Sequence, residues 1–270
     1  TILEIYLKNN TGVTMPTGLG DELCWISPTI SGDENDISGN GYDATLLNGA
    51  SVVNQTGANG TKAISLDGAN DYCQIDGDIF GTSVITNQHK GLSANFWVKY
   101  KSWNFNYHWL WGQRAEGSYK KGYNILIRGD LHSTAPRTAQ FMFQHYSPSD
   151  QRYYENFDLA DEEDWMHFSL NKNQGEIPSA SSTKLYLNGN ETTATSSGGS
   201  YPTTVNSFHS YAYISRVRFG KVMYYYPSVY LDDFRFYNTS RTQEQVSLLS
   251  SARGATEGGT HVHRTLLGVG

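Results

Sequence analysis

The chain has 270 residues, 38% of them hydrophobic and 17% charged, enough to bury about three quarters of its unfolded surface in one core. Its formal charge of −6 argues against the clustered basic face of a nucleic-acid-binding domain, and no stretch approaches the ~20 apolar residues of a membrane span. Gly 27, Tyr 19 and 13% aromatics point instead to many short strands joined by tight turns.

The first segment, 1–20, opens with "TILEIYL", in which Leu3, Ile5 and Leu7 alternate, and continues as a Gly/Thr/Pro linker. It begins at Thr1 rather than Met and has no signal peptide, so we read the chain as a processed product or an excised piece. Period-two runs then predict strands over 22–27, 42–47, 62–67, 72–76, 92–100, 107–112, 123–128, 138–145, 153–159, 165–171, 184–187, 213–219 and 230–237. Asn-Gly and Asp-Gly pairs punctuate them at Asn40, Asn48, Asn59, Asp67, Asp76 and Asn188, where positive φ is cheap. "KLYLNGNET" reads as a hairpin about Asn188-Gly189. One helix is predicted over 243–250, capped by Thr242 with Gln245 returning the bond, and with Val246 and Leu249 on one face. The compact domain is 21–252, and 253–270 is a Gly-rich tail. No fixed-period repeat is present, which argues against a solenoid or propeller.

Cys24 and Cys73 are the only cysteines, too few for a disulfide framework. They read as two small buried hydrophobes or as a single bridge. Sequons at Asn9, Asn54, Asn59, Asn190 and Asn238 permit a glycosylated surface without demonstrating one.

Five segments stand in a recognisable order: "DISGNGYDATLLNGA" (36–50), "AISLDGANDYCQI" (63–75), "LSANFWVKY" (92–100), "DWMHFSL" followed by "KLYLNGN" (164–190), and "LDDFRFYNTSRTQEQV" (231–246). Together they resemble the laminin-G-like branch of the concanavalin A-like lectin/glucanase superfamily. The resemblance implies an all-β jelly-roll sandwich of two curved antiparallel sheets with the first and last strands as neighbours, and one short C-terminal helix follows. It implies no single activity, because this fold hosts lectins, glycanases, adhesion modules and virion proteins. The chain departs from the pattern in an aromatic insertion, "KSWNFNYHWLW", in long loops between Arg114 and Trp165, and in its two terminal extensions.

Glycanases on this fold place paired carboxylates at alternating positions of one strand, as nucleophile and acid. The nearest match, Glu162-Glu163-Asp164, lacks the second glutamate of that pattern, and no nucleophile elbow, zinc spacing or phosphate loop occurs. His261 and His263 would share a strand face, but a solvated tail explains them better than a ligand pair. The expectation is therefore of no enzyme.

A metal site is the stronger candidate. In "LDDFRFY", alternation puts Asp232 on the face of Phe234 and Phe236, with Asp233 opposite. A carboxylate on the core side is costly unless paired or coordinated. The loop 31–41 offers Asp33, Glu34 and Asp36 with glycine-exposed carbonyls, and Asp33, Asp36 and Asp232 form the candidate set. Hard oxygen donors on a flexible loop suit a structural Ca²⁺. The alternative is that Asp232 accepts backbone N–H bonds from the loop.

Ligand binding rests on aromatics. Trp97 and Trp165 are assigned to packing. Trp103, Phe105 and Tyr107 alternate in the insertion, and Tyr224, Tyr225 and Tyr226 crowd a loop before the last strand. Sugars stack on such rings while Asn, Asp and Gln hold their hydroxyls; packing under loops or against another protein is the competing explanation.

These readings converge on a non-catalytic, extracellular carbohydrate-binding or adhesion module with a structural calcium. Its partners would be a glycan or glycoprotein surface, with neither nucleic acid nor membrane insertion. The alternative is a structural subunit of a surface filament or virion exterior, assembled with copies of itself or a larger assembly through the terminal extensions.

Overall fold

A computed structural model describes residues 6–8, 14–16, 18–54, 62–76, 91–101, 107–114, 122–128, 138–146, 150–158, 165–173, 182–192, 195–198, 216–219 and 226–251. In chain order the strands are β1 Tyr6–Lys8, β2 Thr14–Pro16, β3 Cys24–Ile26, β4 Ala44–Leu47, β5 Ser51–Asn54, β6 Lys62–Asp67, β7 Tyr72–Asp76, β8 Leu92–Tyr100 and β9 Tyr107–Arg114. They continue as β10 Gly122–Arg128, β11 Thr138–Tyr146, β12 Asp150–Asp158, β13 Met166–Lys172, β14 Thr183–Leu187, β15 Asn190–Glu191, β16 Thr195–Gly198, β17 Arg216–Phe219 and β18 Ser228–Tyr237. Two helices accompany them, α1 Pro28–Ser31 and α2 Gln243–Ser251.

Two antiparallel sheets form the sandwich. One runs β16-β12-β11-β10-β9-β17-β7-β4; the other runs β15-β14-β13-β8-β18-β6-β5, with β3 joined to β18. The first and last strands of the sandwich are therefore neighbours, as expected: Phe234 lies opposite Ile26 and Phe236 opposite Cys24. Among the described residues the short β1 and β2 pair only with each other. The all-β jelly roll follows from alternation, which gives each sheet one apolar face, and the two faces meet in a core that includes Cys24, Ile64, Cys73, Ile75, Phe96, Val98, Phe168, Leu170, Leu231, Phe234 and Phe236. Both cysteines are free and fully buried, the small-hydrophobe reading.

The turn chemistry behaves as the sequence dictates. Asn188 and Gly189 carry φ of 50° and 80°, closing β14 to β15 with Leu187 opposite Asn190. Gly189 has a second reason to lack a side chain, because a Cβ there would run into Ser250 of α2. The capping box of α2 is formed in both directions: Gln245 N–H donates to Thr242 Oγ1 at 3.3 Å, and Thr242 N–H to Gln245 Oε1 at 3.0 Å. Val246 and Leu249 are its buried residues.

One expectation fails on β18. The register against β8 shifts between Asp232 and Arg235, and Asp233 carries a positive φ of 52°. This β-bulge inserts one residue and reverses the alternation. Val229 and Leu231 pack in the core before it, Phe234 and Phe236 after it. Asp232 therefore belongs, with its cross-strand partner Trp97, to the face opposite the core. It is still fully buried, because that face is itself covered and carries a layer of polar side chains including Asn95, His167, Ser169 and Arg235.

Candidate functional site

The proposed metal residues sit in three separate arrangements. Asp232 accepts hydroxyl bonds from Ser27 (3.3 Å) and from Thr29, and the N–H of Asp233 at 2.8 Å. Ser27 precedes α1 at the N-cap position, yet its hydroxyl makes no cap bond; it serves Asp232 instead. Thr29 Oγ1 also lies 2.9 Å from the carbonyl of Lys62, which adds a second oxygen acceptor beside that hydroxyl. Asp36 has a different task. Its Oδ1 accepts the N–H groups of Trp25 (2.8 Å) and Ser38 (2.9 Å), and its Oδ2 accepts Tyr42 N–H (3.0 Å) and Ser38 Oγ–H (2.8 Å). Asp33 makes a local turn, taking Asn35 N–H at 3.2 Å and Asn35 Nδ2 at 2.7 Å, and these bonds hold its carboxyl below the usual range. Among the described residues no three His, Cys, Asp or Glu side chains are grouped to hold a metal ion.

Asp233, which the sequence left idle, is engaged. Its carboxylate forks onto Arg235 Nε and Nη2, both at 3.0 Å, and accepts Trp25 Nε1–H at 2.7 Å. The guanidinium also lies 4.1 Å from the Trp25 ring centroid and is 1% exposed. Glu22 finishes the closure, accepting Gly20 N–H at 2.9 Å and the Tyr237 hydroxyl at 3.2 Å.

Of the aromatic candidates, Trp103, Phe105, Tyr224 and Tyr225 lie outside the described residues, as do Glu162–Asp164, His261 and His263. Tyr226 is half-buried ahead of β18, and Tyr107 is the first residue of β9. Trp97 is 3% exposed, its ring 5.2 Å from that of His167, in keeping with packing.

The ladder registers of the sheet that runs from β16 to β4 show what surrounds Tyr107. Directly opposed residues in antiparallel strands share a face. One row reads Leu46, Cys73, Phe219, Trp111, Ile125, Phe143 and Tyr153 across the sheet, and contains the core residue Cys73. Its neighbour, on the face away from the core, reads Thr45, Gln74, Arg218, Gly112, Asn124, Gln144, Arg152 and Ser197. Two further rows share that outer face: Trp109, Leu126, Met142, Tyr154 and Thr195, then Tyr107, Arg128, Gln140 and Asn156. A bulge between Ile125 and Leu126 separates Trp109 from Trp111, which simple alternation would put together. The row through Cys73 is thus apolar, whereas the outer-face rows mix aromatic, amide and guanidinium positions with Leu126 and Met142.

No family model matches the chain, and no curated protein matches it. Solved structures do. The chain is similar to the binding domain of botulinum neurotoxin DC in complex with rat synaptotagmin II (TM-score 0.57, 11% identity, covering 86% of this chain and 52% of that one). It is similar to domain 4 of AbnA, a GH43 extracellular arabinanase from Geobacillus stearothermophilus, in complex with arabinotriose (TM-score 0.53, 15% identity, covering 85% and 98%). The same neurotoxin binding domain in complex with SialylT gives a TM-score of 0.56 at 11% identity, covering 87% and 52%. The chain spans about half the length of the neurotoxin domains and nearly all of the arabinanase domain. The fold shared with these structures is thus an antiparallel β-sandwich.

Proposed function

We propose that this chain is a non-catalytic, extracellular carbohydrate-binding or adhesion module of the laminin-G-like type, with the outer face of the sheet that runs from β16 to β4 as its ligand platform. The observation that carries this reading is the shared face of Trp109, Tyr154 and Tyr107 with Asn124, Gln144, Gln140 and Asn156. Aromatic rings stack on the C–H faces of sugars, and amides satisfy the hydroxyls in between. Two similar folds were solved with a sugar ligand, arabinotriose and SialylT, which supports the class of partner.

A structural Ca²⁺ belongs to this proposal in a narrower form than the sequence suggests. Asp232, the hydroxyls of Ser27 and Thr29 and the Lys62 carbonyl would hold it, all hard oxygen donors. Asp33 and Asp36 are taken up by the loop's own N–H groups. The ion would tie the chain at Ser27–Thr29 to the last strand.

One observation favours the structural-subunit alternative: among the described residues, β1 and β2 form a two-stranded sheet that joins neither large sheet. A glycan array and size-exclusion chromatography on the same sample separate the readings. Specific glycan retention by a monodisperse protein supports the binding module. Concentration-dependent assembly with an empty array supports the subunit.

A further inference from the structure

Resting on that binding-module reading, we infer that the platform is built for an acidic glycan, one whose sugars carry carboxylates, and that Arg218 and Arg152 select it. The argument starts from where the registers place the cations. Arg114, Arg128, Arg152, Arg216 and Arg218 all occupy the outer-face set of the sheet that runs from β16 to β4, and no Arg or Lys of these strands falls in the core-side set. Five of the chain's 20 basic residues are thus gathered on one face of a protein whose formal charge is −6.

Carboxylates do not offset them evenly. Arg216 lies directly opposite Asp76 in the register. Arg218, one step along, is flanked instead by Gln74 and Gly112. Arg152 is flanked by Gln144 and Ser197, and Arg128 by Tyr107 and Gln140. Gln74 is itself committed, its Nε2 donating to Asp76 Oδ1 at 3.0 Å. Three guanidinium positions therefore have no acid in their own row. A guanidinium matches a carboxylate in planar, bidentate geometry, and such charge-assisted bonds are the strong ones.

Spacing favours an extended chain over a lone anion. Arg218 and Arg152 are four strand intervals apart, roughly 19 Å at the usual inter-strand spacing. Between them the row holds Gly112, Asn124 and Gln144. A glycine in a central strand marks a place where a ligand can approach the backbone closely. The adjoining row adds Trp109 and Tyr154 at its two sides, stacking positions beside charge-reading ones. Carboxylate alone would suit an acidic peptide, but the aromatic and amide positions suit sugar rings.

The test compares affinities of the full chain for oligogalacturonate and for a neutral galactan of equal length by isothermal titration, with polyglutamate as a second polyanion. The expected result is an at least tenfold preference for the galacturonate, weakening with salt. Arg218→Gln and Arg152→Gln should erase that preference while leaving the melting temperature and neutral-sugar binding unchanged. Equal affinity for the two sugars, or equal affinity for galacturonate and polyglutamate, would overturn the inference and leave the carbohydrate reading standing. Binding of neither sugar would overturn both.

Discussion

Asp36 accepts the backbone N–H of Trp25 at 2.8 Å and that of Tyr42 at 3.0 Å, and so pins the loop between β3 and β4 to both. The abundance of turn formers in "DISGNGYD" now has a physical reason. They let the chain wrap one carboxylate with four donors before β4 begins. Replacing Asp36 by Asn leaves donors facing an amide and should cost about 3 kcal/mol in urea unfolding, since bonds to a charged acceptor contribute most. Asp33→Asn, at the exposed end of the same loop, should unfold with the wild type. Equal losses at the two positions would contradict this division of labour.

The bulge makes Asp232 and Asp233 a useful pair. Asp233→Asn breaks a buried fork to Arg235 and should cost about 3 kcal/mol whether or not calcium is present, because it leaves the buried guanidinium with only Glu22, 3.9 Å away, as a carboxylate partner among the described residues. Asp232→Asn tests the ion. If Ca²⁺ sits beside Asp232, chelator should lower the wild-type melting temperature, by the equivalent of ~2.7 kcal/mol where free Ca²⁺ had been a hundredfold above its dissociation constant. The Asp232→Asn protein should ignore chelator. A wild-type melting curve that also ignores chelator would remove calcium from the account and leave Asp232 held by its hydrogen bonds, those from Ser27, Thr29 and Asp233 N–H among them.

His167 gives the fold a distinct acid sensitivity. Burial, helped by the nearby Arg235 charge, pushes its imidazole down from 6.5 to about 3. The folded state keeps this ring neutral while the unfolded chain takes up a proton below about pH 6.5, so the stabilisation is complete above that pH. It falls as pH drops toward 3, with a slope approaching ~1.4 kcal/mol per pH unit. Carboxylates titrate in the same window, so the readout is a difference: His167→Gln should flatten the stability profile between pH 6 and 4 relative to wild type. Parallel profiles would show that His167 titrates alike in both states.

Much of this was legible in the sequence. Local alternation and turn pairs located β6, β7 and β8 to the residue, the Asn188-Gly189 hairpin and the capped helix. The short β5 was missed because Ser51–Asn54 offers only two apolar residues between turn signals. The bulge left a trace that alternation alone overlooks: in "VYLDDFRF" the apolar positions are 229 and 231, then 234 and 236, a reversal of parity at the two aspartates. The outer face could not be read in this way. Its rows depend on β17 lying between β9 and β7, a pairing across about a hundred residues that no local pattern specifies. Likewise "WLW" presents Trp109 and Trp111 as equivalents until the bulge assigns them to opposite faces.

The sheet-face platform is tested most directly by titrating the glycan selected on the array against wild type, Trp109→Ala and Trp111→Ala, with the melting temperature recorded for each. Trp109→Ala should weaken binding at least tenfold and leave the melting temperature within a few degrees of wild type. Trp111→Ala, in the core-side row, should lower the melting temperature markedly. Undiminished affinity in Trp109→Ala, with the fold intact, would contradict the assignment of the ligand to this face.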